Sequence, residues 1–525
     1  MASKSADSIL DNGERKYVLS VDIGSTSMRC FVIDKDLKFV GKAAQPMEYT
    51  RPQQGHVELD PELIWERFVT IIKEAMETAK ITASQVSSLG ISLARGTFTS
   101  WDRETGEIVH PFISWQDTRS APLAKSWNNS LMFKAISKAS RAIYTVTRIR
   151  RFLAMSVIEF KSLHMCIRAQ WVLDNIPRAR ELADAGQLMF GTLDTFLLWR
   201  LSGGKVHATD ASNASATAIY DAYTTSWSST VCKLMNIPLN SLPVIVDTST
   251  HICTSEDEIF GGPIEVHAVA ADQQSSLFGQ ACWEDRELKL TLGSGSFLDV
   301  RTVTPHASPS GIYPMVAWQI NGEVSFMAEG VAISTGHCVE WASKVGWFEN
   351  VADTSRMAES VEDSGGVCFV PAIAGLEAPI NDPTACCSVL GIKPDTRREH
   401  LVRAMLESFA FRASQILDRA QEEIGNLPDC VRVDGGVSEN NFLLQTIADL
   451  TSCKIQRAAV RETTALGVAF FAGLSSGLWA SRDEIKEKVI FTDIFVPNPE
   501  NKARLLEARE LWSKAVGRSL KWYRY

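Results

Sequence analysis

The sequence predicts an α/β protein built from two sizeable domains, and three observations predict it. At 525 residues the chain is longer than one ordinary domain. Strand-like and helix-like segments alternate over most of its length. A strand, a short polar turn and a second strand open the chain, and the same pattern returns at 288–300.

The elements follow in order. In YVLSVDIGSTSMRCFVIDKD (17–36) an apolar run ends in the acid Asp22, a turn of Gly24, Ser25, Thr26 and Ser27 follows, and a second apolar run begins. DPELIWERFVTIIKEAMETAK reads as a helix. Asp60 suits its N-cap and Pro61 its first position, and Leu63, Ile64, Phe68, Ile71, Ile72 and Ala75 form one apolar face. SSLGISLA is a short buried-strand pattern. The stretch 131–168 is basic, with Arg148, Arg150 and Arg151 close together in an otherwise acidic chain. It reads either as a contact surface for an acidic partner or a lipid headgroup, or as a solvated insertion. From 265 the opening grammar returns: VHAVAADQQSSLFG is a strand ending at Asp272, and LKLTLGSGSFLDV is strand, Gly/Ser turn, strand. This places a boundary near 280, between domains 1–280 and 281–525. HLVRAMLESFAFRASQILDRAQEEI is the longest clear helix, and CVRVDGGVSENNFLLQTIADL reads as strand, Gly-Gly turn and helix.

Bulk properties exclude several classes. The net charge of −9 argues against a nucleic-acid-binding surface. No apolar stretch approaches the roughly 20 residues of a membrane helix. The first 17 residues lack the apolar core of a secretory signal, and Asp7, Asp11 and Glu14 argue against a transit peptide. The cysteines are odd in number, without a C-x-x-C pair, and Cys386 and Cys387 are adjacent, which suits neither a disulfide framework nor a zinc site. The expectation is a reduced, cytoplasmic protein without a structural metal.

The two hairpins suggest a chemistry. A turn of Gly, Ser and Thr lets backbone N–H groups and hydroxyls converge on phosphate oxygens. An acid at the strand end, here Asp22, can hold Mg²⁺ through waters. Either hairpin alone also reads as a plain turn. No G-x-x-x-x-G-K-[ST] is present, and GSGSFL lacks the third glycine of a dinucleotide fingerprint. The phosphate reading rests on several loops occurring in order: VDIGSTS, ADQQSSLFG, GSGSF and DGGVSENNFL.

In that order the loops resemble the phosphate-1, phosphate-2 and adenosine series of the sugar kinase, actin and heat-shock ATPase fold. GHVELDPELIW, FISWQDTRS, FGTLDTFLLWRLSGG, TDASNAS, FVPAIAGLEAPINDP, CSVLGIKPDTRREHLVRAMLESFAFR and WSKAVGRSLKW resemble the FGGY carbohydrate kinases, and within them the glycerol kinases. The resemblance runs over nearly the whole chain from residue 17. It implies two actin-like (ribonuclease H-like) ATPase domains around a central cleft, with ATP mainly on the C-terminal half and a polyol mainly on the N-terminal half. It implies ATP-dependent phosphorylation of a small polyol, by default glycerol to sn-glycerol 3-phosphate, with ATP and Mg²⁺ as cofactors, and a homo-oligomer.

The same resemblance assigns residues. Asp272 is the general base, although an Asp between a strand and a helix also reads as an N-cap. Asp22 holds the metal, and Ser25, Thr26, Ser27 and Arg29 bind phosphate. Ser294, Gly336, Gly436 and Asn440 bind the nucleotide. Arg95, Trp115, Asp272, Gln273 and Phe297 bind the polyol, the two aromatic rings forming an apolar wall; taken alone, those rings read as core packing. Glu340 departs from the Gln typical of glycerol kinases.

Two further departures fall in the substrate pocket. Glycerol kinases carry Arg-Glu where this chain has Arg95-Gly96, and counting back from Trp171 puts Leu163 where they have a tyrosine. Losing one buried partner for a bound hydroxyl costs about 1–3 kcal/mol. Two independent losses weaken glycerol binding by roughly 10- to 1000-fold or more. The alternatives are therefore a kinase for another polyol or sugar, or a nucleotide-binding regulatory protein on the same fold with weak or no catalysis. FGGPIEV is shorter than the bacterial effector loop, which argues against sugar-bisphosphate feedback.

Overall fold

The computed structural model describes residues 15–332 and 334–523. Its first half is organised by a six-stranded sheet. β1 (Tyr17–Ile23), β2 (Ser27–Asp34) and β3 (Phe39–Pro46) form an antiparallel meander. The helix α1 (Pro61–Ala79) begins where the sequence places it: the Asp60 carboxylate accepts from the Glu62 N–H at 2.9 Å, and Pro61 occupies the first turn. Its buried face, including Ile64, Phe68, Ile71 and Ile72, covers the sheet. β4 (Val86–Leu93) then adds parallel to β1 and is buried along its whole length, as a strand covered on both faces must be.

A four-stranded sheet takes Glu58–Leu59 from before α1, and Phe98–Asp102, Ile108–Ile113 and Leu188–Thr192 from the segment after β4. The basic segment folds as two helices, α2 (Leu131–Thr147) and α3 (Arg150–Val157). The Ser130 hydroxyl caps α2 by accepting from the Phe133 N–H at 3.1 Å. The sheet is completed by β5 (Ser249–Thr254) and β6 (Glu265–Ala271), in the order β5-β6-β4-β1-β2-β3. β6 runs directly into the helix α4 (Asp272–Gly279).

The second half repeats this plan. β7 (Leu288–Leu292), β8 (Ser296–Thr302), β9 (Tyr313–Ile320) and β10 (Glu323–Ala332) are antiparallel neighbours. The helix α5 (Thr335–Lys344) follows, then α6 (Arg398–Ile424), the longest of the described helices. β11 (Cys430–Asp434) adds parallel to β7. After α7 (Asn441–Thr451), β12 (Lys454–Ala458) adds parallel to β11. The sheet order is β9-β10-β8-β7-β11-β12, closed by an antiparallel edge strand at Phe491–Phe495.

One element crosses between the halves. The helix α8 (Thr463–Ser476) leaves the second sheet and packs on the first, against β1, β4, β6 and α4. Its sequence is apolar almost all round, which requires burial on every side. Leu466, Phe470 and Phe471 join Val18, Ile33 and Phe278 in one buried cluster. The crossing of α4 and α8 is tight: a Cβ at Gly467 would lie 1.7 Å from the Ser275 carbonyl oxygen, so only glycine fits. Three hydroxyls stitch α8 to the first half, Ser20 to the Ala465 carbonyl, Ser275 to Thr464 and Ser249 to Phe471, each at 2.7 Å. No described helix is long and apolar enough to cross a membrane.

Candidate active site

Both hairpins carry an ion pair set by register. The four-residue turn after β1 puts Asp22 opposite Arg29 across the antiparallel pair. Arg29 Nη2 lies 2.6 Å from the Asp22 carboxylate, and its Nη1 lies 2.5 Å from Glu462, at the start of α8. One guanidinium thus joins a carboxylate from each half. Burial lifts the Asp22 pKa to about 6, against the opposing pull of Arg29.

In the second hairpin the register puts Lys289 opposite Asp299, and both side chains are fully buried. Lys289 Nζ donates to Gln273 Oε1 at 2.8 Å and Thr291 Oγ1 at 2.6 Å and forms an ion pair with the Asp299 carboxylate at 2.9 Å. An ammonium only donates, so the carboxamide oxygen of Gln273 must face it. The Gln273 NH₂ is then the end turned away from Lys289.

The same row of the second sheet continues through Glu329 to Tyr313. The first half meets it side chain by side chain: Gln273 on Lys289, Arg95 on Glu329 at 2.7 Å, and Lys161 on the Tyr313 hydroxyl at 3.1 Å. Burial raises the Glu329 pKa to about 7, with Asp299 and Asp272 adding to the rise and Arg95 opposing it.

Asp272 sits where β6 becomes α4, as the first residue of the helix rather than its cap. One carboxylate oxygen accepts from the Gln273 N–H at 2.8 Å and faces Arg95 Nε at 3.6 Å. A quarter of its side chain remains exposed, at 26%. Burial raises its pKa, and Arg95 limits the rise. Arg95 also lies over the Phe297 ring, 6.0 Å from its centre. Trp115 donates its indole N–H to the Ser25 hydroxyl at 3.1 Å, which ties it to the first hairpin. Both aromatic side chains are only half-buried, which removes their reading as core packing.

The substituted corner is held by Arg168. This fully buried guanidinium donates to four backbone carbonyls: Ile113 at 3.0 Å, Ser114 at 2.6 Å, and Gly96 and Leu163 each at 2.7 Å. Gly96 and Leu163 are therefore neighbours. Gly96 has φ +76°, and a Cβ there would stand 3.3 Å from Arg168 Nη2.

The glycine-rich loops of the second half also converge. The Gly336 N–H donates to the Gly293 and Ser294 carbonyls at 3.0 and 2.9 Å, and a Cβ at Gly336 would press within 2.6 Å of Gly293. Gly435, absent from the sequence reading, has φ +86° and would collide with the Leu292 carbonyl if it carried a side chain. At Gly436 a Cβ would meet no protein atom within 4 Å, which leaves that face open. Ser25 and Ser27 are half-buried, and Thr26 and Ser294 are exposed at their turns. Asn440 is the N-cap of α7, accepting from the Leu443 N–H and donating to the Thr354 hydroxyl, each at 2.9 Å. Glu340 pairs with Lys344 on the surface at 2.6 Å.

Two buried groups unseen in the sequence tie the loops together. Asp434, at the end of β11, accepts from Thr463 Oγ1 at 2.6 Å, Gln280 Nε2 at 3.1 Å and the Ser276 hydroxyl. Lys289 does the same for the second hairpin and α4. Hairpin register carries the signal for the Lys289–Asp299 pair, because a turn centred on Ser294 sets 289 against 299.

Comparison with known proteins decides the family. The N-terminal domain of the FGGY family of carbohydrate kinases matches residues 17–279, and its C-terminal domain matches residues 288–476. The chain belongs to the FGGY family of carbohydrate kinases. As a member it is a phosphotransferase. It is 43% identical to glycerol kinase 5 of Danio rerio over 97% of each chain. It is 38% identical to glycerol kinase 2 of Thermotoga maritima, over 97% of this chain and 99% of that one. Among solved structures, Plasmodium falciparum glycerol kinase with ADP superposes with a TM-score of 0.86 at 28% identity, covering 97% of this chain and 99% of that one. The xylulose kinase of Lactobacillus acidophilus shares the FGGY fold at a TM-score of 0.81 and 19% identity, covering 96% of this chain and 98% of that one.

Proposed function

We propose that the protein transfers the terminal phosphoryl group of ATP to a hydroxyl of a small polyol in the cytoplasm, with glycerol giving sn-glycerol 3-phosphate. The observation that carries this reading is the placement of Asp272. Its carboxylate lies at a helix start, beside Arg95 and within electrostatic reach of Asp22.

Each residue has a role in this reading. Asp272 accepts the proton of the attacking hydroxyl; burial strengthens it as a base, and the Arg95 charge opposes that rise. Gln273, turned by Lys289, offers its NH₂ to a substrate oxygen. Trp115 and Phe297 flank the carbon backbone. Ser25, Thr26, Ser27 and Ser294 line the phosphates, Gly336 and Gly436 the nucleotide, and Arg29 balances charge between the halves. Among the described residues no group of three His, Cys, Asp or Glu forms a metal site. A single buried carboxylate at Asp22 still fits Mg²⁺, which keeps most of its waters and takes one or two carboxylates plus phosphate oxygens. Bound there, the ion would neutralise phosphate charge, the main demand of this transfer.

A second reading, a different polyol, is favoured by one observation. Gly96 has no side chain, and its carbonyl and that of Leu163 accept from Arg168, so this corner is organised around a guanidinium where glycerol kinases place a carboxylate. The test is ADP release from Mg-ATP over a panel of polyols and sugars, for the parent and Asp272→Asn. The expected result is turnover on glycerol or a related polyol that falls about 10²- to 10⁴-fold in the variant with nucleotide binding intact. Nucleotide binding without turnover on any polyol would instead support a regulatory nucleotide-binding protein.

A further inference from the structure

The helix α2 has three faces, and the third is unexplained by packing. One face, with Phe133, Ile136, Ser140 and Tyr144, turns toward the protein. A second carries Lys134, Lys138 and Arg141, spaced as one row at i, i+4 and i+7. The third spans roughly 120° and is apolar. Its Leu131, Met132, Ala135, Ala139, Ile143 and Val146 are all exposed, Leu131 by 87% and Val146 by 85%. Ser140 is the only buried residue in the helix, so α2 stands out from the molecule as a ridge. The turn into α3 adds exposed Ile149 between Arg148 and Arg150. From residue 120 to 158 there are seven Lys and Arg and no Asp or Glu, in a chain of net charge −9.

We propose that α2 and the turn after it dock the protein on an anionic lipid surface, the ridge lying in the headgroup layer with its apolar face toward the acyl chains. An apolar stripe bordered by cations is the arrangement that lies in a bilayer interface. The cationic stems can run along the apolar surface while their charges stay among phosphates. A convex ridge suits a bilayer, which needs no complementary groove. A second copy of this face is excluded as occupant by charge, since the two cation rows would meet without a single carboxylate between them.

The experiment is co-sedimentation of the full chain with phosphatidylcholine vesicles, with and without phosphatidylserine, at low and high salt. Binding is expected only to the anionic vesicles and to weaken as salt rises. Lys134→Gln/Lys138→Gln/Arg141→Gln should weaken binding about 100-fold, and Leu131→Ser/Ile143→Ser/Val146→Ser about 10-fold or more. All six positions lie outside the active site and on the surface, so phosphoryl transfer in solution should be unchanged in both variants, which also reports correct folding. No binding to anionic vesicles at low salt overturns the proposal, as does binding that neither variant weakens. Capture by polyglutamate without any vesicle binding assigns the ridge to an acidic polypeptide and likewise overturns it.

Discussion

Asp22→Asn separates what the first hairpin does for stability from what it does for chemistry. The Asp22 pKa is about 6 in the folded protein against 3.8 for a free side chain, with burial as the leading cause. A raised folded pKa means that the folded state holds the proton more tightly than the unfolded chain. The stability this lends is fully present below pH 4 and is lost as pH rises through 6. A rise of about two pH units corresponds to about 3 kcal/mol of penalty at pH 7 and about 1.5 kcal/mol at pH 5. Asparagine has no charge to desolvate, and Arg29 keeps Glu462 at 2.5 Å. The variant should therefore be more stable than its parent at pH 7, by up to about 3 kcal/mol, with the gap roughly halved at pH 5. Phosphoryl transfer should collapse, and Mg²⁺ should no longer add to the stabilisation that ADP provides. Urea unfolding at the two pH values, with ADP and with Mg-ADP, reads all three effects. A variant less stable than its parent at pH 7, or a gap that ignores pH, would refute the burial argument.

Three further perturbations address other parts of the site. Lys289→Met strands the buried Asp299 carboxylate and should cost about 3–5 kcal/mol, most of it recovered by adding Asp299→Leu. The double variant should still show reduced kcat/KM, because Gln273 has lost the donor that orients it; full turnover would sink that role. A Cβ at Gly436 meets no protein atom within 4 Å, so in Gly436→Ala the melting temperature should hold while the nucleotide Kd rises about 10-fold, whereas Gly435→Ala, with φ +86°, should destabilise the fold. Gly96→Glu accepts backbone strain of about 1–2 kcal/mol to set a carboxylate beside Arg168, and the KM for glycerol should fall about 10-fold; an unchanged KM would place glycerol elsewhere.

The parts of the molecule legible in the sequence are those written in local patterns. Asp60-Pro61 and the apolar face behind them start α1 as read, and α6 spans Arg398–Ile424 where residues 400–424 were expected. The two hairpins stand where the Gly/Ser turns put them, and their ion pairs follow from register alone. Contacts between distant segments were not legible. Glu462 meets Arg29 across 433 positions, and nothing near either residue announces the other. α8 reads as a buried helix because it is apolar all round, yet its sequence does not say which sheet buries it. Asn440 carries a second signal: ENNFLL is also a local cap pattern, and the residue caps α7 in the fold.

The placement of α8 also bears on how the chain is made. The first sheet is complete when residue 271 has been synthesised, but the helix that covers its inner face begins at Thr463. At ribosomal speeds of 5–20 residues per second, the intervening stretch takes about 10–40 s. For that time the nascent N-terminal half presents Val18, Ile33, Ala268 and Phe278 without their cover. It depends either on a chaperone that shields apolar surface or on a collapsed interim state that later admits the helix. A message truncated anywhere before residue 463 yields not a smaller working domain but a sheet with one face bare.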